Sequence, residues 1–98
     1  MTPPPDAVPE AGSGPVTVHY WASARAAAGT ASEEVPLAGP LTVAELSVEL
    51  ASRHGSSRLR EVLDACSVLV GDRPAGRDRS VRVHAGDTVE FLPPFAGG

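Results

Sequence analysis

The residues best placed to do chemistry stand at the end of the chain, Leu92-Pro93-Pro94-Phe95-Ala96-Gly97-Gly98. A terminal carboxylate is a poor electrophile, but ATP converts it into an acyl adenylate whose AMP leaves readily. An adenylating enzyme must bring that carboxylate to the α-phosphate through a narrow channel. A Cβ at either of the last two positions would obstruct it, so glycine at both is what the geometry needs. Attack by a sulfur donor on the adenylate leaves a thiocarboxylate at Gly98, an ionised and strongly nucleophilic sulfur held on an arm. Pro93-Pro94 favours a stiff, extended exit. Phe95 then offers one apolar anchor, and side-chain bulk falls away through Ala96 and Gly97. The plain alternative is a frayed end with no role.

No other group competes well for that chemistry. Cys66 precedes the apolar run Ser67 to Val70 with no adjacent histidine or lysine to lower its pKa, so it reads as structural. His19, His54 and His84 are dispersed without metal-ligand spacing, and His19 or His84 on an outward strand face could meet a partner. Asp87 after Gly86 reads as a turn former. Arg73, Arg77, Arg79 and Arg82 crowd one stretch, but Asp72 and Asp78 lie among them, as in a solvated loop.

Composition narrows the function classes. The 98 residues carry a net charge of −4 and only four aromatic residues, Tyr20, Trp21, Phe91 and Phe95. With a pI near 5.2, the chain lacks the basic face and stacking platforms of a nucleic-acid binder. No apolar run approaches the roughly 20 residues of a membrane span. The start, Met1-Thr2-Pro3-Pro4-Pro5, has neither the basic nor the apolar part of a secretory signal. One cysteine cannot build an internal disulfide framework, so a cytoplasmic location is expected. All eight basic residues are arginines. An activated C-terminus therefore meets no lysine amine within its own chain.

The elements that must position the tail follow from pattern. Residues 1–14, with Pro3, Pro4, Pro5, Pro9 and little that is large and apolar, read as a flexible leader, and residues 15–98 as one domain. Val16, Val18 and Tyr20 alternate with Thr17, His19 and Trp21, which predicts a strand. Ala22 to Ala28, closed by Gly29, predicts a short helix, and Glu33 to Leu37 a second strand. Thr42 with Glu45 forms a capping box for a helix to His54 that is stopped by Gly55. Leu59, Val62 and Leu63 predict a further helical segment over Ser57 to Ala65. Strands are expected at Ser67 to Val70, Ser80 to His84 and Thr88 to Leu92, with Asp72 to Asp78 as a polar turn. Val89 and Phe91 face the core in the last strand, and Pro93 ends it. The result is an α+β domain with a mixed sheet packed on one main helix.

The run Gly86-Asp87-Thr88-Val89-Glu90-Phe91-Leu92-Pro93-Pro94-Phe95-Ala96-Gly97-Gly98 closely resembles the C-terminus of the MoaD/ThiS family of ubiquitin-like sulfur carriers. The nearest branch is the small subunit of molybdopterin synthase. Val18 to Ala22 with Ala28-Gly29-Thr30, and Thr42 to Leu46, look like that family's first strand, short helix and main helix start. The resemblance implies a ubiquitin-like β-grasp fold and an E1-like enzyme that uses ATP to adenylate Gly98. It also implies a sulfur donor enzyme and a synthase large subunit, in a heterotetramer, that supplies the catalytic side chains. No cofactor is implied on this chain, whose own contribution is the thiocarboxylate. Gly97 gives clearance, while Phe91, Pro93, Pro94, Phe95 and Ala96 dock the tail, with Trp21 or His84 nearby. Sulfur carriage for thiamine or cysteine synthesis, a ubiquitin-like protein modifier and a plain interaction module are the alternatives.

Overall fold

A computed structural model of the protein describes residues 13–94. Most of the expected leader (residues 1–12) and the tail residues Phe95, Ala96, Gly97 and Gly98 lie outside the described residues. Strand β1 (Gly14–Tyr20) buries Val16, Val18 and Tyr20 on one face, as its period of two requires. It leads into α1 (Ala22–Ala28), which Gly29 closes in the left-handed conformation at φ 77°. Strand β2 (Ser32–Leu37) returns antiparallel to β1 with Val35 and Leu37 inward.

A two-residue strand, β3 (Leu41–Thr42), precedes the longest helix, α2 (Val43–His54). Helix α2 buries Val43, Leu46 and Leu50, which fall at i, i+3 and i+7 on one face, together with the polar Ser47. Every donor of its first turn finds an acceptor. Val43 N–H reaches Val81 O at 2.9 Å and Ala44 N–H reaches Arg79 O at 3.0 Å. Glu45 N–H is held by the Thr42 hydroxyl at 3.1 Å, while the Glu45 carboxylate takes Thr42 N–H at 2.9 Å. Helix α3 (Ser57–Ala65) is capped by Ser56 and adds Leu59 and Leu63 to the core.

Strand β4 (Ser67–Val70) turns through Gly71-Asp72 into β5 (Arg73–Gly76), where a polar turn was expected. Pro74 and Gly76 hide the alternation of β5. The strand tolerates proline because it lies at the sheet edge, where no further neighbour needs the missing N–H. The expected strand from Ser80 to His84 shrinks to β6 (Arg82–Val83), which pairs with β3 and stands outside the main sheet. Strand β7 (Thr88–Leu92) completes a five-stranded sheet of order β2-β1-β7-β4-β5. Only β1 and β7 run parallel. The three helices cover the inner face.

Two polar clusters tie the helices down. One nitrogen of the Arg79 guanidinium donates to Leu63 O, Asp64 O and Cys66 O at 2.8–2.9 Å, closing the C-terminal end of α3. Arg77 adds longer bonds to Asp64 O and Ala65 O. Two arginines of the expected solvated loop are thus helix caps.

At the opposite corner Glu33 of β2 accepts from Tyr20 Oη at 2.8 Å and pairs with His54 and Arg53 at the end of α2. Burial alone would raise the Glu33 carboxyl, but hydrogen bonds from His54 and Tyr20, with the His54 and Arg53 charges, hold it below its ordinary value. Tyr20 is pushed upward, first by burial and then by Glu33.

Arg79→Ala leaves three carbonyls without their shared donor and should cost about 1–3 kcal/mol, read as a lower urea midpoint at unchanged slope. A depressed carboxyl contributes stability that is present above its unfolded pKa and lost as pH falls through its folded one. Stability should therefore decline as pH falls below the ordinary glutamate value of 4.5. Glu33→Gln should flatten that decline in urea titrations run across the acid range.

Candidate functional site

The site is the place where β7 leaves the sheet. Strand β7 sits between β1 and β4, so both its edges are paired up to its last residues: Tyr20 faces Phe91, and Ser67 faces Leu92. Trp21 N–H extends the ladder one residue further by donating to Phe91 O at 3.2 Å. Pro93 and Pro94 then end the pairing, since neither carries an N–H. The direction in which the tail begins is set by a strand that cannot shift without breaking two ladders.

Phe91 is fully buried and stacks on Tyr20 with ring centroids 6.3 Å apart. Of the residues expected to dock the tail, it therefore serves from beneath, as the anchor of the strand. Leu92, on the opposite face, is exposed, as is Pro94, while Pro93 is half-buried. Phe95, Ala96, Gly97 and Gly98 lie outside the described residues. Beside the exit, Trp21, Ala22, Leu92 and Pro93 line a shallow apolar depression. Trp21 is 49% exposed and Leu92 38%, a large apolar surface to leave in water beside one strand end. On the other side of the proline pair, Ser23, Val62 and Ala65, with Arg58 and Glu61 as charged neighbours, form a groove between α1 and α3. The exit thus has an apolar centre and a partly charged rim.

Two local preferences are broken at this point. Helix α1 begins on Trp21, with no side-chain cap, although serine, threonine, aspartate or asparagine is favoured there. Ala22 has φ 48°, the described non-glycine residue in the left-handed region, where a Cβ costs roughly 1–2 kcal/mol. In the sequence Trp21 stands out as one of four aromatic residues, as part of the β1 alternation and as an expected neighbour of the tail. Nothing local announces the strain at Ala22, because alanine is an ordinary helix residue.

The other candidates fall elsewhere. His84 and Asp87 hold the turn before β7, where the Asp87 carboxylate accepts His84 N–H at 2.8 Å. From Asp87 to Leu92 the strand spans about 16–17 Å, so of the two expected neighbours it is Trp21 that stands at the exit. His19 is on the open sheet face, paired in register with Glu90 and Ser32. Cys66 is buried and donates its thiol to Val62 O at 3.2 Å. Burial pushes that thiol up to about 11, outweighing Arg79 and Arg77, which disfavours the thiolate a nucleophile would need. Among the described residues no group of three or more histidines, cysteines or carboxylates could hold a metal ion.

A mixed sheet with a parallel pair at its centre, one face covered by helices, and a last strand leading into a proline pair defines a ubiquitin-like β-grasp protein. The chain belongs to the ThiS family, whose model matches residues 18–98. It is 34% identical over 83 residues to the molybdopterin synthase sulfur carrier subunit of Aspergillus niger, covering 83% of this chain and 91% of that one. A solved structure from Pyrococcus furiosus, assigned as molybdopterin converting factor subunit 1, superposes with a TM-score of 0.68 at 26% identity. That match covers 84% of this chain and 99% of the other. SAMP1 from Haloferax volcanii superposes with a TM-score of 0.71 at 25% identity, covering 87% and 100%.

The same substitution two residues apart should have opposite effects here. Ala22→Gly removes a Cβ from a left-handed residue and should stabilise by about 0.5–1 kcal/mol. Ala24→Gly, at a buried helical position, should destabilise by about 1 kcal/mol or more. Thermal unfolding of the two variants checks the pair.

Proposed function

We propose that this chain is the sulfur-carrying small subunit of a molybdopterin synthase. The observation that carries this reading is the exit of β7. A doubly paired central strand delivers a proline pair beside exposed Trp21 and Leu92, and the sequence beyond it thins to Gly97-Gly98. The name of the Aspergillus niger relative supports the same assignment.

In this reading an E1-like enzyme joins the Gly98 carboxylate to AMP, with pyrophosphate leaving from ATP. A sulfur nucleophile supplied by a donor enzyme then displaces AMP. The thiocarboxylate so formed is presented by the tail to the active site of the synthase large subunit, in a heterotetramer, and donates sulfur to a pyranopterin precursor. Gly97 and Gly98 let the arm pass a narrow channel because neither carries a Cβ. Phe95 and Ala96 dock it, and Pro93-Pro94 keep it from folding back onto its own domain. Trp21, Leu92 and Pro93 form the apolar centre of the contact with the large subunit, where burial of their exposed surface favours association. ATP-dependent activation is compatible with the cytoplasmic location expected from the sequence. The chain brings no catalytic side chain of its own. Cys66 is too deeply placed, and its thiol too weakly acidic, to carry the sulfur.

The protein isolated after coexpression with its activating enzyme and a sulfur source should gain, at Gly98, the mass difference between sulfur and oxygen. Cys66→Ser should gain the same mass, while deletion of Gly98 should abolish the gain and leave the unfolding midpoint unchanged. An ordinary carboxylate at Gly98 under these conditions sinks the reading. Gly98 found instead in isopeptide linkage to lysines of other proteins moves the chain to the modifiers.

A further inference from the structure

Trp21 is restrained from several sides although half its surface is in water. Its N–H is bound to Phe91 O, and its carbonyl accepts Ala24 N–H at 2.9 Å as the first bond of α1. The chain leaves it through the strained Ala22. Its indole Nε1–H donates to the Glu90 carboxylate at 3.1 Å, linking residues 69 apart in sequence. Glu90 lies on the open face of β7, opposite His19 on one side and Leu69 on the other. Among the described residues it forms no ion pair with an arginine. The Trp21 indole is the hydrogen-bond partner of its carboxylate among the described residues.

An exposed indole on a free rotamer would lose entropy when a partner closed on it. One that is already fixed loses less, and the saving appears as affinity. Leu92, on the same face two residues beyond Glu90, continues the surface from the fixed ring to the proline pair.

We propose that Glu90 is a positioning residue: it clamps the Trp21 indole beside the root of the tail, so that the partner-docking surface is formed before the partner arrives. The docking role rests on the function proposed above; the clamp itself does not. Glu90 touches neither the tail nor the reacting sulfur. Its effect runs through the orientation of Trp21.

Trp21 is the single tryptophan of the chain, so its fluorescence reports the clamp directly in the free, full-length protein. Glu90→Ala should increase fast indole motion in time-resolved anisotropy and raise acrylamide quenching about twofold, with the urea midpoint nearly unchanged because the bond is exposed. Glu90→Gln, which keeps the accepting oxygen, should restore the wild-type signal. With the synthase large subunit as partner, Glu90→Ala should weaken binding about three- to tenfold, with turnover at saturation unchanged. Trp21→Phe keeps an aromatic ring but lacks the N–H. It should weaken binding similarly, and the double variant should be little worse than either single one.

Indole motion unaffected by Glu90→Ala overturns the clamp, whatever the protein does. A freed indole with unchanged affinity overturns its docking role and leaves the sulfur-carrier reading standing. Failure of the wild-type protein to bind the large subunit overturns the docking role as well, along with that reading, and the anisotropy alone then judges the clamp.

Discussion

The parallel pairing of β1 with β7 is the constraint on which the rest of the structure depends. The first and last strands of the domain lie side by side, in the centre of the sheet, and end at the same edge. Parallel neighbours cannot be joined by a tight turn, so the chain between them must include a crossover, here from β2 on one side of the pair to β4 on the other. That crossover carries α2 and α3, which together with α1 cover Val16, Val18, Tyr20, Val89 and Phe91. It also means that the proline pair follows directly on a strand paired along both edges.

The same pairing brings Trp21 to the exit. One residue past β1, Trp21 continues the ladder to Phe91 and then starts α1 with its own carbonyl. The exposed apolar surface, the uncapped helix start and the left-handed Ala22 therefore coincide at one joint. Local consistency is otherwise high: α2 has its full capping box and Gly55 stop, and the buried face of every main-sheet strand but the edge strand β5 is apolar. Departures from local preference cluster where a structure has something to present.

Much of the fold was legible. The alternation in β1 and β7, the Thr42–Glu45 capping box and the glycine stops at Gly29 and Gly55 are short-range signals, and the elements they mark occur where expected. Strand β5 was hidden because proline and glycine mask its pattern, and only its neighbour β4 makes it a strand. The arginines of that stretch were misleading for a related reason. Charge and hydrophilicity announce a surface, whereas the carbonyls that Arg79 closes belong to α3, which lies earlier in the chain. Of the site, the proline pair was legible as the end of β7. The clamp on Trp21 was not, because its two members are far apart in sequence and neither is unusual in its own segment.

By itself, the amino-acid sequence determined the three helices and most of the strands, which of their faces are apolar, and that a proline pair ends the last strand. Those properties depend on residue type and on spacings of a few residues, so they are present before any long-range contact forms. The tertiary structure alone decided that β7 is central, that Phe91 stacks on Tyr20, and that Trp21 stands at the exit while His84 does not. It also joined Glu33 to Tyr20 and His54. Each of these is a choice of partner among distant residues. Such a choice is settled by which packing buries the apolar faces together and leaves the fewest polar groups unpaired.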